Sequence, residues 1–216
     1  MLRYLRSVER PRRTVEVSQQ GNETARVILN AAKASLLEVG YASLSTRSIA
    51  QKAGVPLSQL HYHFGSKQNL VLAVLERENA RLLDRQERMY GSELPLWKQW
   101  EQACDYFEDD LASGYVRVLM EMVAAGWSDS EIGKAVWQQL KGWFDLLGSV
   151  AERAAGQLGS LGPFTPSEVA ALAGLPFIGA EVTILLGLSE KDLPSRSALR
   201  KVGEIIRALE ESKGAS

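Results

Sequence analysis

Cysteine is all but missing from this chain: Cys104 is the only one in 216 residues. A single thiol excludes an internal disulfide, and a lone Cys suits a reducing compartment, so a cytoplasmic location is expected. Cys104 itself reads as a small core hydrophobe. Histidine is nearly as scarce, with only His61 and His63. Two apart on a helix, they point about 200° from one another and cannot share an ion through a common face. No Cys or carboxylate cluster completes such a site, so no metal or other cofactor is expected. There is no nucleophile–base set and no Gly-rich phosphate loop either, which argues against an enzyme. Uninterrupted apolar runs fall short of the ~20 residues of a membrane span. The opening MLRYLRSVERPRR is basic but lacks the apolar core of a secretory signal. No membrane partner is expected. Alternating β patterns of useful length and internal repeats are also absent.

What is present is ordinary in amount and uneven in distribution. Apolar residues make up 45% and the net charge is −1. Residues 1–70, however, hold ten Lys/Arg against four acids, an excess of six positive charges, which leaves −7 on the remainder. A basic head on an acidic body suits a protein that meets DNA at one end.

The informative stretch is Ser45–Leu70, STRSIAQKAGVPLSQLHYHFGSKQNL. Ile49, Ala50 and Ala53 recur at one-turn spacing over Thr46–Ala53. Gly54 can take the left-handed conformation that ends such a helix sharply, and Val55 can plug the corner. Pro56 suits the opening of the next helix because it needs no N–H bond there. Leu60 and Phe64 then share one face of a helix over about Leu57–Phe64. Helix, short Gly-containing turn and helix make the helix-turn-helix pattern, whose second helix enters the DNA major groove. Upstream, Thr24 can cap a helix to about Val39, with Ile28, Ala31, Ala32, Leu36 and Val39 as its buried stripe and Gly40 as its stop.

These residues resemble the DNA-binding domain of TetR-family transcriptional regulators over residues 24–70. The likeness is carried by a first helix ending in Gly40-Tyr41, then Thr46-Arg47-Ser48-Ile49-Ala50 and Ala53-Gly54-Val55. It continues through Leu60-His61-Tyr62-His63-Phe64, Ser66-Lys67 and Leu70. The chemistry of the residues gives candidate DNA contacts. Thr46 sits at a helix N-terminus suited to phosphate. Arg47 reaches for a base edge or a phosphate, and Gln59 can pair with adenine through both amide atoms. Leu57 offers apolar contact to a thymine methyl, and Ser58 is left toward DNA or solvent. The resemblance adds phosphate roles for Tyr62, Lys67 and, by likeness of position, His61. Pro56 departs from the Ser or Thr common in the family. Arg10, Arg12 and Arg13 could extend the contact from an N-terminal arm.

The rest reads as helices. A long one runs from Lys67 to about Tyr90. Others follow over about Pro95–Ala112, Tyr115–Ala125, Ser130–Gln157, Thr165–Leu188 and Ser195–Glu211, with GQLGSLGPFTP as a loop. The fold expected is all-α, with three parts. A flexible basic arm covers 1–21, a three-helix helix-turn-helix DNA-binding domain 22–70, and an all-helical ligand-binding and dimerisation domain 71–216. All five Trp lie between 97 and 143. An aromatic cavity for a small lipophilic or aromatic ligand is therefore a candidate, lined by Trp97, Trp100, Phe107, Met120, Glu121, Trp127, Trp137, Phe144 and Phe177. The competing reading is that these rings fill a solid core and that no inducer exists. The segment Leu172–Leu188 is more apolar than one face requires, and Leu199, Val202, Ile205, Ile206 and Leu209 stripe the last helix. Such excess suggests a second body. The resemblance implies a homodimer through these two helices, on a palindromic operator in double-stranded DNA.

Overall fold

The computed structural model describes residues 19–214, and all regular structure among them is helical. In chain order the helices are α1 (Gln19–Ser43), α2 (Thr46–Ala53), α3 (Leu57–Phe64), α4 (Lys67–Tyr90), α5 (Leu96–Ser113), α6 (Tyr115–Gly126), α7 (Ser130–Leu158), α8 (Pro166–Leu185) and α9 (Ser195–Gly214). Arg10, Arg12 and Arg13 of the expected arm lie outside the described residues. Residues 19–21 of that stretch form the first turn of α1, so the helix begins before Thr24.

The head is α1–α3 with the first turns of α4. Ile28, Ala31, Ala32 and Leu36 of α1 are buried against Ile49 and Ala50 of α2, Leu60 of α3, and Leu70, Val71, Val74 and Leu75 of α4. Val39 departs from the expected stripe and is 52% exposed, because Gly40 breaks the regular helix and the last turn is left uncovered. Gly54 adopts the left-handed conformation (φ 68°) that turns α2 into α3, and Val55 packs on the head core. Pro56 precedes α3 with its carbonyl accepting from the Gln59 N–H at 3.0 Å.

Two side-chain pairs fasten α1 to α4. Lys33 Nζ donates to Glu78 Oε2 at 2.8 Å, and Arg77 Nη1 donates to Asn30 Oδ1 at 2.9 Å. Burial alone would raise the Glu78 carboxyl, but the Lys33 ammonium and the Arg77 guanidinium outweigh it and hold Glu78 below its usual range.

In the body, α5, α7, α8, α9 and the end of α4 build a second core holding Tyr90, Cys104, Phe107, Leu147 and Phe177, while Val116, Leu119 and Met122 of α6 join the head core. Cys104 is buried, and burial pushes its thiol up to about 11, so it stays a neutral hydrophobe. Helix α9 is bound to α5 by Arg196–Glu108 (2.7 Å), Arg200–Asp105 (2.8 Å) and the Trp100 indole N–H donating to Leu199 O (2.7 Å). Glu210 of α9 also caps α5, accepting from the N–H groups of Leu96 and Trp97 at 2.9 and 3.0 Å.

Helix α8 starts with a capping box of Thr165 and Glu168. Taken as a whole helix it is long and apolar enough, by length and composition, to cross a membrane, which corrects the reading from uninterrupted runs. One of its faces packs on α7. A Cβ at Gly174 would fall 2.7 Å from Phe144 Cε1, so only Gly lets the two backbones come this close.

Candidate nucleic-acid interface and body cavity

Helix α3 turns Leu60 inward, and helical geometry then sends Leu57, Ser58, Gln59, His61 and Tyr62 outward, where all five are exposed. Arg47, in the first turn of α2, is exposed beside them and Thr46 is half-buried. Ser45 sits at the N-cap without using its side chain as a cap, so the first N–H groups of α2 have no side-chain acceptor. Such a terminus, with its partial positive charge, receives a phosphate oxygen. The candidates of α3 and Arg47 are thus exposed, on two helices that pack against each other.

Two candidates carry constraints that spacing could not reveal. His61 Nδ1 lies 2.9 Å from Gly65 O. A carbonyl only accepts, so Nδ1 carries a proton and Nε2 is the ring nitrogen left for DNA. Lys67 Nζ donates to Tyr41 O at 3.1 Å and lies 4.6 Å from the Tyr41 ring centroid. Its ammonium retains donors for a phosphate, but it also ties α4 to the end of α1.

That end of α1 is where head meets body. Gly40 leaves the helix at φ 71°, ψ 171°, and the freed Tyr41 N–H donates to Glu121 Oε2 of α6 at 2.9 Å. Arg117 holds Glu121 from the other side at 3.7 Å. Glu121, a candidate ligand anchor on sequence grounds, therefore lies at the junction and lines neither part of the cavity. Met120 packs toward the head core. Trp97 is a surface ring between Lys98 (4.1 Å) and Arg207 (4.9 Å), and Phe144 packs beneath α8. Trp127 and Trp137 are 83% and 53% exposed.

Trp100, Phe107 and Phe177 do come together, at the wall of a two-part cavity. An outer chamber of about 770 Å³ runs between α5, α7, α8 and α9 beneath the 159–164 loop, with Leu96, Val150, Ala154, Leu158, Val169 and Ile206 among its walls. A narrow inner cleft of about 40 Å³ continues toward α4 and α6 and shares Tyr90, Trp100, Leu147 and Ala173 with the chamber. Sequence reasoning missed the polar lining of this cleft: Asn79, Gln86, Asp110, Tyr115 and Glu181. For Glu181 a signal existed, since it is the one acid in the apolar run Leu172–Leu188.

The described residues thus form a helix-turn-helix head with an exposed second helix, set on an all-helical body with a cavity. Residues 28–74 match the family model of the bacterial regulatory proteins, tetR family. Solved structures share the fold. The FadR transcriptional regulator of Bacillus subtilis, in complex with stearoyl-CoA, is 14% identical with a TM-score of 0.71, over 84% of this chain and 96% of its own. A TetR-family regulator from Agrobacterium tumefaciens is 19% identical with a TM-score of 0.69, over 87% and 98%. A protein from Saccharomonospora viridis in complex with choline is 19% identical with a TM-score of 0.68, over 85% and 94%. No curated protein sequence matches this chain. Residues 28–74 are thus similar to the head of the tetR-family regulatory proteins, and the described residues share the fold of solved transcriptional regulators.

Proposed function

We propose that this regulator is a homodimeric repressor that sits on a palindromic operator and leaves it when a small lipophilic molecule occupies the body. The observation that carries this reading is the pairing, in one chain, of an exposed recognition face with an apolar chamber of about 770 Å³. That volume lies within the range typical of ligand sites and is more than a solid core leaves empty. The apolar lining favours a ligand over the solid-core alternative, as do relatives that hold stearoyl-CoA and choline.

Arg47, Gln59 and Leu57 read bases, while Thr46, Tyr62 and Lys67 grip phosphates, with Ser58 and His61 beside them. Dimerisation runs through α8 and α9. Only 22% of the apolar window in α8 is buried within the chain, and Leu172, Leu175 and Leu186 are 57%, 57% and 74% exposed. Two heads then meet half-sites about 34–36 Å apart, or a multiple of it. A ligand shifts this arrangement only by as much as it binds the released state more tightly. The contact of Glu121 with Tyr41 is the route by which α6 reaches the head. Action on DNA also accords with a cytoplasmic protein.

Selection of genomic or random DNA fragments on the purified chain tests the reading. Recovery of a palindrome, released by lipophilic compounds that also raise Tm, is the expected result. A folded dimer without sequence preference overturns it.

A further inference from the structure

The inner cleft contains a carboxyl group with no partner. Asn79, Gln86, Tyr115 and Asp110 of its lining are engaged. The Tyr115 hydroxyl donates to Asn79 Oδ1 at 3.0 Å, and Asn79 Nδ2 donates to Gln139 Oε1 at 2.9 Å. Trp143 Nε1 donates to Gln86 Oε1 at 2.9 Å. Asp110 accepts from Arg85 Nη2 at 2.7 Å, so its charge is matched. Glu181 Oε2 is shut off from water and has no hydrogen-bond partner. Burial, and the Asp110 carboxylate across the cleft, push the Glu181 carboxyl up to about 8.

Besides Tyr90 and Tyr115, four rings without a hydroxyl share this end of the cavity: Trp100, Phe107, Trp143 and Phe177. Their faces carry the negative lobe of the ring quadrupole, which attracts a cation and repels an anion. An anionic ligand would meet this field and two carboxylates at low dielectric. A neutral apolar one would leave Glu181 Oε2 unsatisfied, at a cost of about 1–3 kcal/mol. A compact positive head satisfies both features. The cleft has room for about three waters, which suits an ammonium group. The outer chamber, reached past Trp100 and Leu147, accepts an apolar tail.

We propose that the ligand of this regulator is a lipophilic amine in its ammonium form, with the head against Glu181 among the four rings and the tail in the outer chamber. The inference rests on the ligand-gated reading and adds the charge of the ligand to it.

The test uses the full chain and three probes with one tail and different charge, dodecylamine, dodecanol and dodecanoate, kept below micelle formation. Titration is followed by calorimetry and tryptophan fluorescence. Dodecylamine is expected to bind more tightly than dodecanol by roughly tenfold or more, the equivalent of one pKa unit of interaction. Dodecanoate should bind least. In Glu181→Gln the advantage of the amine over the alcohol should disappear while the affinity for the alcohol remains. Because ammonium holds Glu181 as the carboxylate, binding at pH 7 should release a proton and strengthen as pH rises toward about 8. The other titratable and charged groups of this cleft are Asp110 on α5, Arg85 on α4 beside it, Tyr90 on α4 and Tyr115 on α6; α7 contributes none to the lining.

Equal affinity for amine and alcohol, preference for dodecanoate, or an amine affinity that Glu181→Gln leaves unchanged overturns the cation and leaves the ligand-gated reading standing. Binding of none of the three overturns both. The order of affinities in the natural protein decides the matter even if the variant does not fold.

Discussion

Gln59 and Lys67 are both proposed DNA contacts but answer to different physics. Gln59 is exposed on α3 with both amide atoms available to a base edge. Gln59→Ala should narrow the gap between operator and competitor DNA by roughly 1–3 kcal/mol and leave non-specific binding alone. Competition titrations measure this, and unchanged discrimination would remove Gln59 from the base-reading set. Lys67→Ala should weaken binding to all sequences and flatten the salt dependence by about one unit of slope. It should also lower Tm, because Lys67 ties itself to Tyr41 O. At the same scale, Glu78 makes stability depend on pH. Its folded pKa is depressed, so its contribution is present above the unfolded value of about 4.3 and fades as pH falls through the folded one. Glu78→Gln should cost about 2–3 kcal/mol at pH 7, less than a fully buried pair because Lys33 keeps some access to water. The two proteins should converge in acid. Equal Tm at neutral pH would show that the Lys33–Glu78 pair contributes nothing.

Between elements, the junction of α1 and α6 makes a sharper claim. Gly40 occupies φ 71°, ψ 171°, which side chains strain to adopt, and an added Cβ would lie 3.1 Å from Glu121 Oε1. Gly40→Ala should therefore cost about 1–3 kcal/mol in strain. Glu121→Ala should cost about 1 kcal/mol through the lost bond to the Tyr41 N–H. Together they should cost less than their sum, by roughly 0.5–1 kcal/mol, since removing the carboxylate clears space for the new methyl. Strict additivity would mean that Glu121 does not press on this corner. The glycine was legible in the sequence as a helix stop; its partner was not. The same divide runs through the molecule. The α2–α3 corner could be read because Gly54 and Pro56 each meet a local requirement of the backbone. The cavity could not, because the face a ring presents depends on how six helices pack. Trp100 and Trp127 look equivalent in sequence, yet one lines the cavity and the other is 83% exposed. Helix α8 is apolar all round, so its pattern gave no phase to show that Gly174 and Glu181 face inward while Leu172 and Leu175 face out.

For the whole molecule, the uncovered surface of α8 and α9 is the feature that a single chain leaves unexplained. Leu172, Leu175, Val182 and Leu186 line one side of α8, and Ile205 adds a 62% exposed residue on α9. Water should be expelled from such a surface by a second copy, through the same patch on both subunits about a two-fold axis. Leu175→Glu combined with Ile205→Glu places charges on that surface without touching the cavity lining or the head. Sedimentation should then report a monomer for the variant and a dimer for the natural protein. Each head keeps its own contacts, so half-site binding should survive. Affinity for the full palindrome should nevertheless fall by roughly a hundredfold or more, because the second head no longer benefits from the first being bound. A variant that stays dimeric and holds the palindrome as tightly as before would move the interface away from α8 and α9. If the variant is monomeric and binds the palindrome undiminished, one head alone carries recognition, and the half-site spacing has no role in release.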